Sequence, residues 1–191
     1  MKYQHKLVAL AVAASFTCAG AFAMTRDDYK ASHERIEADY KAAKKGCGAM
    51  KANAKDICVS EAKGTEKVAM AELEAQYKPS DKNNYKVNEA KADAAYDTAK
   101  EKCDDLAGNA KDVCVKDAKA AHVKAKADAK VAKVSNEATT SKNDKVAAAR
   151  NDAAKDTNEA NYKAAKERCD TFAGDVKDRC VADMKVRYGQ K

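Results

Sequence analysis

Apolar and small residues recur along the chain in alternating steps of four and three. Tyr29, His33, Ile36, Tyr40, Ala43, Cys47 and Met50 form one such row, the seam of a helix packed on a neighbour. The row returns as Tyr85, Ala92, Tyr96, Ala99, Cys103 and Leu106, and again as Tyr162, Ala165, Cys169 and Phe172. Thr25 with Asp28 reads as a capping box that starts the first helix. Lys78-Pro79-Ser80-Asp81 breaks the pattern, with Asp81 placed to cap the next helix. A second break falls in the polar run Ser135-Asn136 and Thr139-Thr140-Ser141. The pattern predicts an all-α chain of three serial antiparallel helical hairpins over residues 24–78, 79–136 and 137–191.

Each seam carries one cysteine at its last position but one, and a second follows eleven residues later: Cys47/Cys58, Cys103/Cys114 and Cys169/Cys180. A Tyr seven residues before the first Cys, a Lys-Asp pair before the second and a Val after it recur in every copy, so these are internal repeats. The ten residues between the cysteines read as helix end, turn and helix start. Gly108 and Gly174 supply left-handed turn positions, and Asn109 with Asp112 reads as a cap for the returning helix. In the first copy Ala52 stands where the others have Gly, predicting a different turn, while Asn53 and Asp56 keep the cap. Both cysteines then face each other across antiparallel arms, and a disulfide clasps each hairpin. A loop of about twelve residues closed in this way is worth about 2–3 kcal/mol.

Antiparallel pairing in register with the clasps sets Ala43 opposite Ala62, Tyr40 opposite Thr65 and Ile36 opposite Ala69. It also places His33 opposite Glu72 as a solvated charge pair. In the second hairpin Ala99 meets Ala118 and Tyr96 meets Ala121, but Glu89 faces Asp128, which predicts that the arms splay there. In the third, Asn158 is the last seam position with a partner, opposite Lys191. The polar stretch Lys142–Asn158 is expected to be free surface. The tyrosines on the seams read as core.

The first 23 residues read as a secretory signal peptide: Lys2 and Lys6, an apolar run Leu7–Phe16, then Ala21-Phe22-Ala23, with cleavage between Ala23 and Met24. Cleavage removes Cys18 and leaves six cysteines, an even set suited to an oxidising compartment. The expected location is the periplasm of a Gram-negative bacterium, with no stable membrane span in the mature chain. Composition strengthens the helical reading: 36 of the 168 residues from Met24 onward are Ala, with one Pro and no Trp. Large apolar residues are few, which favours thin hairpins over a compact globule. The formal charge of +7 is built from signs that alternate along the chain, the habit of solvated helical faces rather than of a nucleic-acid footprint.

Candidate chemistry is sparse. There is no Cys-x-x-Cys or Cys-x-x-Cys-His, and an eleven-residue step is not a usual zinc spacing. His33 and His122 fall on charged helical faces and read as solvated. No catalytic, cofactor-binding or metal-ligating residue is assigned; the expectation is a protein that is not an enzyme and carries no cofactor. Two resemblances are carried by named residues. The run Lys119–Lys130 is similar to the long helical region of TolA, the envelope protein that spans the periplasm. The repeats, Tyr96–Lys119 above all, resemble small exported bacterial proteins labelled TolA-like or cell envelope biogenesis proteins. These resemblances imply a structural or interaction protein whose partner is a protein or another envelope component, not nucleic acid. A periplasmic holdase chaperone or stress protein, and a thiol or metal buffer, are the alternatives.

Overall fold

The computed structural model describes residues 24–137 and 142–190. The expected signal peptide, with Ala23 of its cleavage site, and Thr139-Thr140-Ser141 of the second break lie outside the described residues. Six α-helices follow one another: α1 (Arg26–Gly46), extended by a 3-10 turn at Cys47–Ala49, α2 (Ala52–Tyr77), α3 (Asp81–Cys103), α4 (Gly108–Asn136), α5 (Lys142–Cys169) and α6 (Gly174–Arg187). No strand occurs among the described residues.

Local chemistry sets most boundaries. Thr25 accepts from the Asp28 amide while Asp28 bonds back to the Thr25 backbone, the expected capping box. Before α3 the cap is Ser80 rather than Asp81; its hydroxyl accepts from the Asn83 amide. Asn83 is itself buried and donates to the Lys78 carbonyl at 2.7 Å, closing the turn between hairpins over Pro79. Helix α4 ends at Asn136, where Glu137 turns to extended backbone.

Inside the clasps the expected asparagine caps do not form. The N-cap residues are Lys51, Ala107 and Ala173, with no side-chain cap bond at any of them. The expected difference at Ala52 is also absent: it takes φ +48°, against +54° at Gly108 and Gly174. The disulfide and the helices on either side impose one turn on all three copies, and Ala52 bears the cost of its Cβ in left-handed space. Ala52→Gly is therefore expected to raise stability by about 1 kcal/mol in urea denaturation of the oxidised protein, and Gly108→Ala to lower it by at least as much. A loss of stability in Ala52→Gly would show that this turn is relaxed as it stands.

Packing is serial. Among the described residues, each helix touches only the helix before it and the helix after it in sequence. The hairpins therefore stand side by side in one layer, and α2–α3 and α4–α5 contacts join them. Among the described residues the buried apolar set contains eight Ala, three Cys and Leu73, so little area leaves water per layer and the hydrophobic return is small. The predicted register of the first hairpin is met in space: Ile36, Tyr40, Ala43, Ala62, Thr65 and Ala69 surround one cavity of about 230 Å³. At its far end the Tyr29 ring packs at a tilt against Tyr77 with ring centroids 4.5 Å apart.

Two expectations about exposed arms are corrected. Glu89 and Asp128 do not force α3 and α4 apart, because each has its own cation: Lys126 lies 3.4 Å from Glu89 and Lys124 2.6 Å from Asp128. The stretch Lys142–Asn158 is not free surface. Asn151 and Lys155 are exposed as expected, but another face of α5 lies on α4, burying Ala149 and pairing Asp152 with Lys130 at 3.7 Å. The hairpin register considered only the partner within the hairpin, and the preceding hairpin supplies the cover. Lys191, expected opposite Asn158, lies outside the described residues; Asn158 donates to the Tyr188 carbonyl at 2.6 Å.

Candidate functional site

The three predicted disulfides are present, Cys47–Cys58, Cys103–Cys114 and Cys169–Cys180, with Cα atoms 5.6, 5.6 and 5.7 Å apart. The first cysteine of each pair is fully buried. In the second and third copies a Lys–Asp bridge crosses the same turn, Lys111–Asp104 at 3.0 Å and Lys177–Asp170 at 2.8 Å. In the first copy Gly48 stands at the acidic position.

Beside the clasps, the hairpins are joined by one set of contacts used twice. Asn53, at the start of α2, donates to the Glu101 carbonyl at the end of α3 at 2.8 Å. Asn109, at the start of α4, makes the same bond to the Glu167 carbonyl of α5 at 3.2 Å. Each of these carbonyls, in a final helical turn, also accepts the amide three residues on, from Asp104 at 3.0 Å and Asp170 at 3.1 Å, so the asparagine takes its second acceptor position. An ion pair repeats alongside: Glu61 with Lys102 at 3.0 Å, and Asp117 with Arg168 at 2.6 Å. Between the locks the backbones draw close. A Cβ built on Gly64 would stand 2.8 Å from that of Ala94. The asparagines assigned to capping thus fasten one hairpin to the next; the signal was their recurrence at one position in two copies and replacement by Asp175 in the last.

Farther from the clasps, α2, α3 and α4 converge on Asp93. Lys67 Nζ lies 2.7 Å from its Oδ2, His122 Nε2 2.7 Å from its Oδ1, and Lys126 Nζ 3.8 Å from Oδ1. The His122 ring stacks on Tyr96 with centroids 4.8 Å apart. Burial alone would push the Asp93 carboxyl up, but hydrogen bonds from Lys67 and His122, with the charges of Lys67 and Lys126, hold it at about 2. It is a carboxylate throughout the physiological range. The adjoining Tyr85 is pushed up to about 12, first by burial and then by its hydrogen bond to Glu89 and that group's charge. The cluster fixes the rotation of three helices about one charge.

His122 is accordingly not solvated: 12% of its side chain remains exposed. The register set Ala121 opposite Tyr96, but it is the His122 ring, held by Asp93 from α3, that meets Tyr96. His33 does not meet Glu72. It lies 3.6 Å from Glu37 one turn along, while Glu72 pairs with Lys91 of α3 at 2.7 Å. The seam tyrosines, expected as core, are half-buried and border it rather than fill it, with Tyr29, Tyr77, Tyr96, Tyr162 and Tyr188 in ring contacts. Among the described residues, no group of three or more His, Cys, Asp and Glu side chains is placed to hold a metal ion. No family model, curated protein or solved structure matches the chain.

Proposed function

We propose that the protein is a non-enzymatic structural or interaction protein of the bacterial envelope, exported to the periplasm after cleavage between Ala23 and Met24. One observation carries this reading. The same asparagine bond and ion pair fasten each clasped hairpin to the next, giving a continuous helical layer that presents broad polar faces to partners. Three disulfides suit an oxidising compartment, and no helix among the described residues is long and apolar enough to cross a membrane. The resemblance of the repeats to TolA-like proteins is the ground for placing it at the envelope. The test is subcellular fractionation with N-terminal sequencing, joined to photo-cross-linking in living cells from probes on the exposed helical faces. The reading expects a periplasmic product starting at Met24 and reproducible adducts with one envelope component. A cytoplasmic product with an intact start would end it.

A holdase role is a second reading with its own support. Met50, Leu106 and Phe172 occupy the same place in the three clasps and are 46%, 45% and 49% exposed. Suppression of client aggregation at sub-stoichiometric amounts, lost on changing all three to Asn, separates this role from a purely structural one. With all six cysteines paired, a thiol or metal buffering role would belong only to a reduced chain.

A further inference from the structure

We infer that the array continues from one molecule to the next, with the outer face of α6 receiving the outer face of α1 from a second copy. The chain already contains this interface twice, at α2–α3 and α4–α5, and its two ends expose the corresponding halves unused. Val186 holds the place of Gly64 and Ala120, which are buried beneath the following helix, yet it is 83% exposed. On the other side Ala38 holds the place of Ala94 and is exposed on α1.

The end residues depart from the internal ones in matched pairs. Where Asn53 and Asn109 meet Glu101 and Glu167, the ends carry Asp175 and Lys45. An Asp cannot donate to a carbonyl, but a Lys on the facing position can donate to the Asp. Where Ile57 and Val113 stand in register with the long bases Lys102 and Arg168, the ends exchange sizes, Arg179 facing Gly46. Asp183 keeps the acid of Glu61 and Asp117, and Lys45 is the nearest base of α1 in that register. Opposite charges and complementary sizes thus survive at the joint although every one of these pairs has changed.

Because two different surfaces meet, the contact is heterologous and does not close on itself, so copies add head to tail. Helix α6 has 14 residues, about 21 Å of contact, which makes the joint weaker than those inside the chain. This inference rests on the repeat register and holds whichever envelope component the layer meets.

Sedimentation velocity on the oxidised protein over a wide concentration range tests it, with circular dichroism confirming equal helicity of the variants. The expected result is a mass that rises with concentration past the dimer without a plateau. Lys45→Glu and Asp183→Lys should each weaken association about tenfold, and the chain carrying both should recover part of it, because Asp175 still faces position 45. A monomer at every concentration, an association that stops at the dimer, or one indifferent to these changes would overturn the inference.

Discussion

Reduction of the three disulfides is expected to lower the thermal midpoint of the helical transition by about 20 °C or more and to broaden it. Each clasp closes a short loop worth about 2–3 kcal/mol, and for a chain of this size each kcal/mol moves the midpoint by about 2–4 °C. The effect is large because little else holds a hairpin shut. Among the described residues alanine and cysteine make up nearly all of the buried apolar set, with Leu73 the one large aliphatic side chain in it. The loss should be greatest in the third hairpin, whose returning helix α6 is the shortest and has no buried residue. Circular dichroism melts with and without reductant read this directly; identical cooperative melts would show that packing alone suffices.

Asp93→Ala should cost about 2 kcal/mol, the second largest effect expected of a change at a named site. It leaves Lys67, His122 and Lys126 facing one another across three helices without their shared anion. Asp93→Asn keeps hydrogen-bonding capacity while removing the charge and should cost less. The pH dependence has a definite sign. The folded carboxyl sits at about 2 against an ordinary 3.8, so its contribution is complete above that ordinary value and disappears as pH falls through the folded one. The side chain keeps 28% exposure, and solvent screening reduces the linked stability to about 1 kcal/mol. Urea denaturation at pH 7 and at acid pH should show the wild type losing this increment between about pH 4 and pH 2 and Asp93→Ala lacking it. Equal acid sensitivity in both would remove Asp93 as the pH-dependent group.

The hairpins were legible in the sequence because their signals are local or periodic. A seven-residue seam and two cysteines at a fixed step act within one hairpin and a Pro-Ser break marks its end, and helix type, clasp pairing and the register near the clasp follow from them. What joins the hairpins was not legible. Gly64 against Ala94, Asn53 on the Glu101 carbonyl and Lys67 on Asp93 connect residues in different repeats, and none of these pairs shares a period. Small or polar residues on the face away from the seam look like solvated surface when each hairpin is considered alone. For that reason Lys142–Asn158 was expected to be bare and His122 solvated. The recurrence of Asn at the same place in two repeats, with Asp in the last, was the one available sign that this face has a neighbour.

The clasped hairpins form one layer rather than three independent units. Nuclear Overhauser contacts in the oxidised protein test this without altering a residue. A single layer predicts strong contacts between the Ala94 methyl and the Gly64 α protons, which lie in different hairpins, together with contacts between the Tyr96 and His122 rings within one. Finding the Tyr96–His122 contacts but none between Gly64 and Ala94 would contradict the account, because the hairpins would then be intact and unjoined.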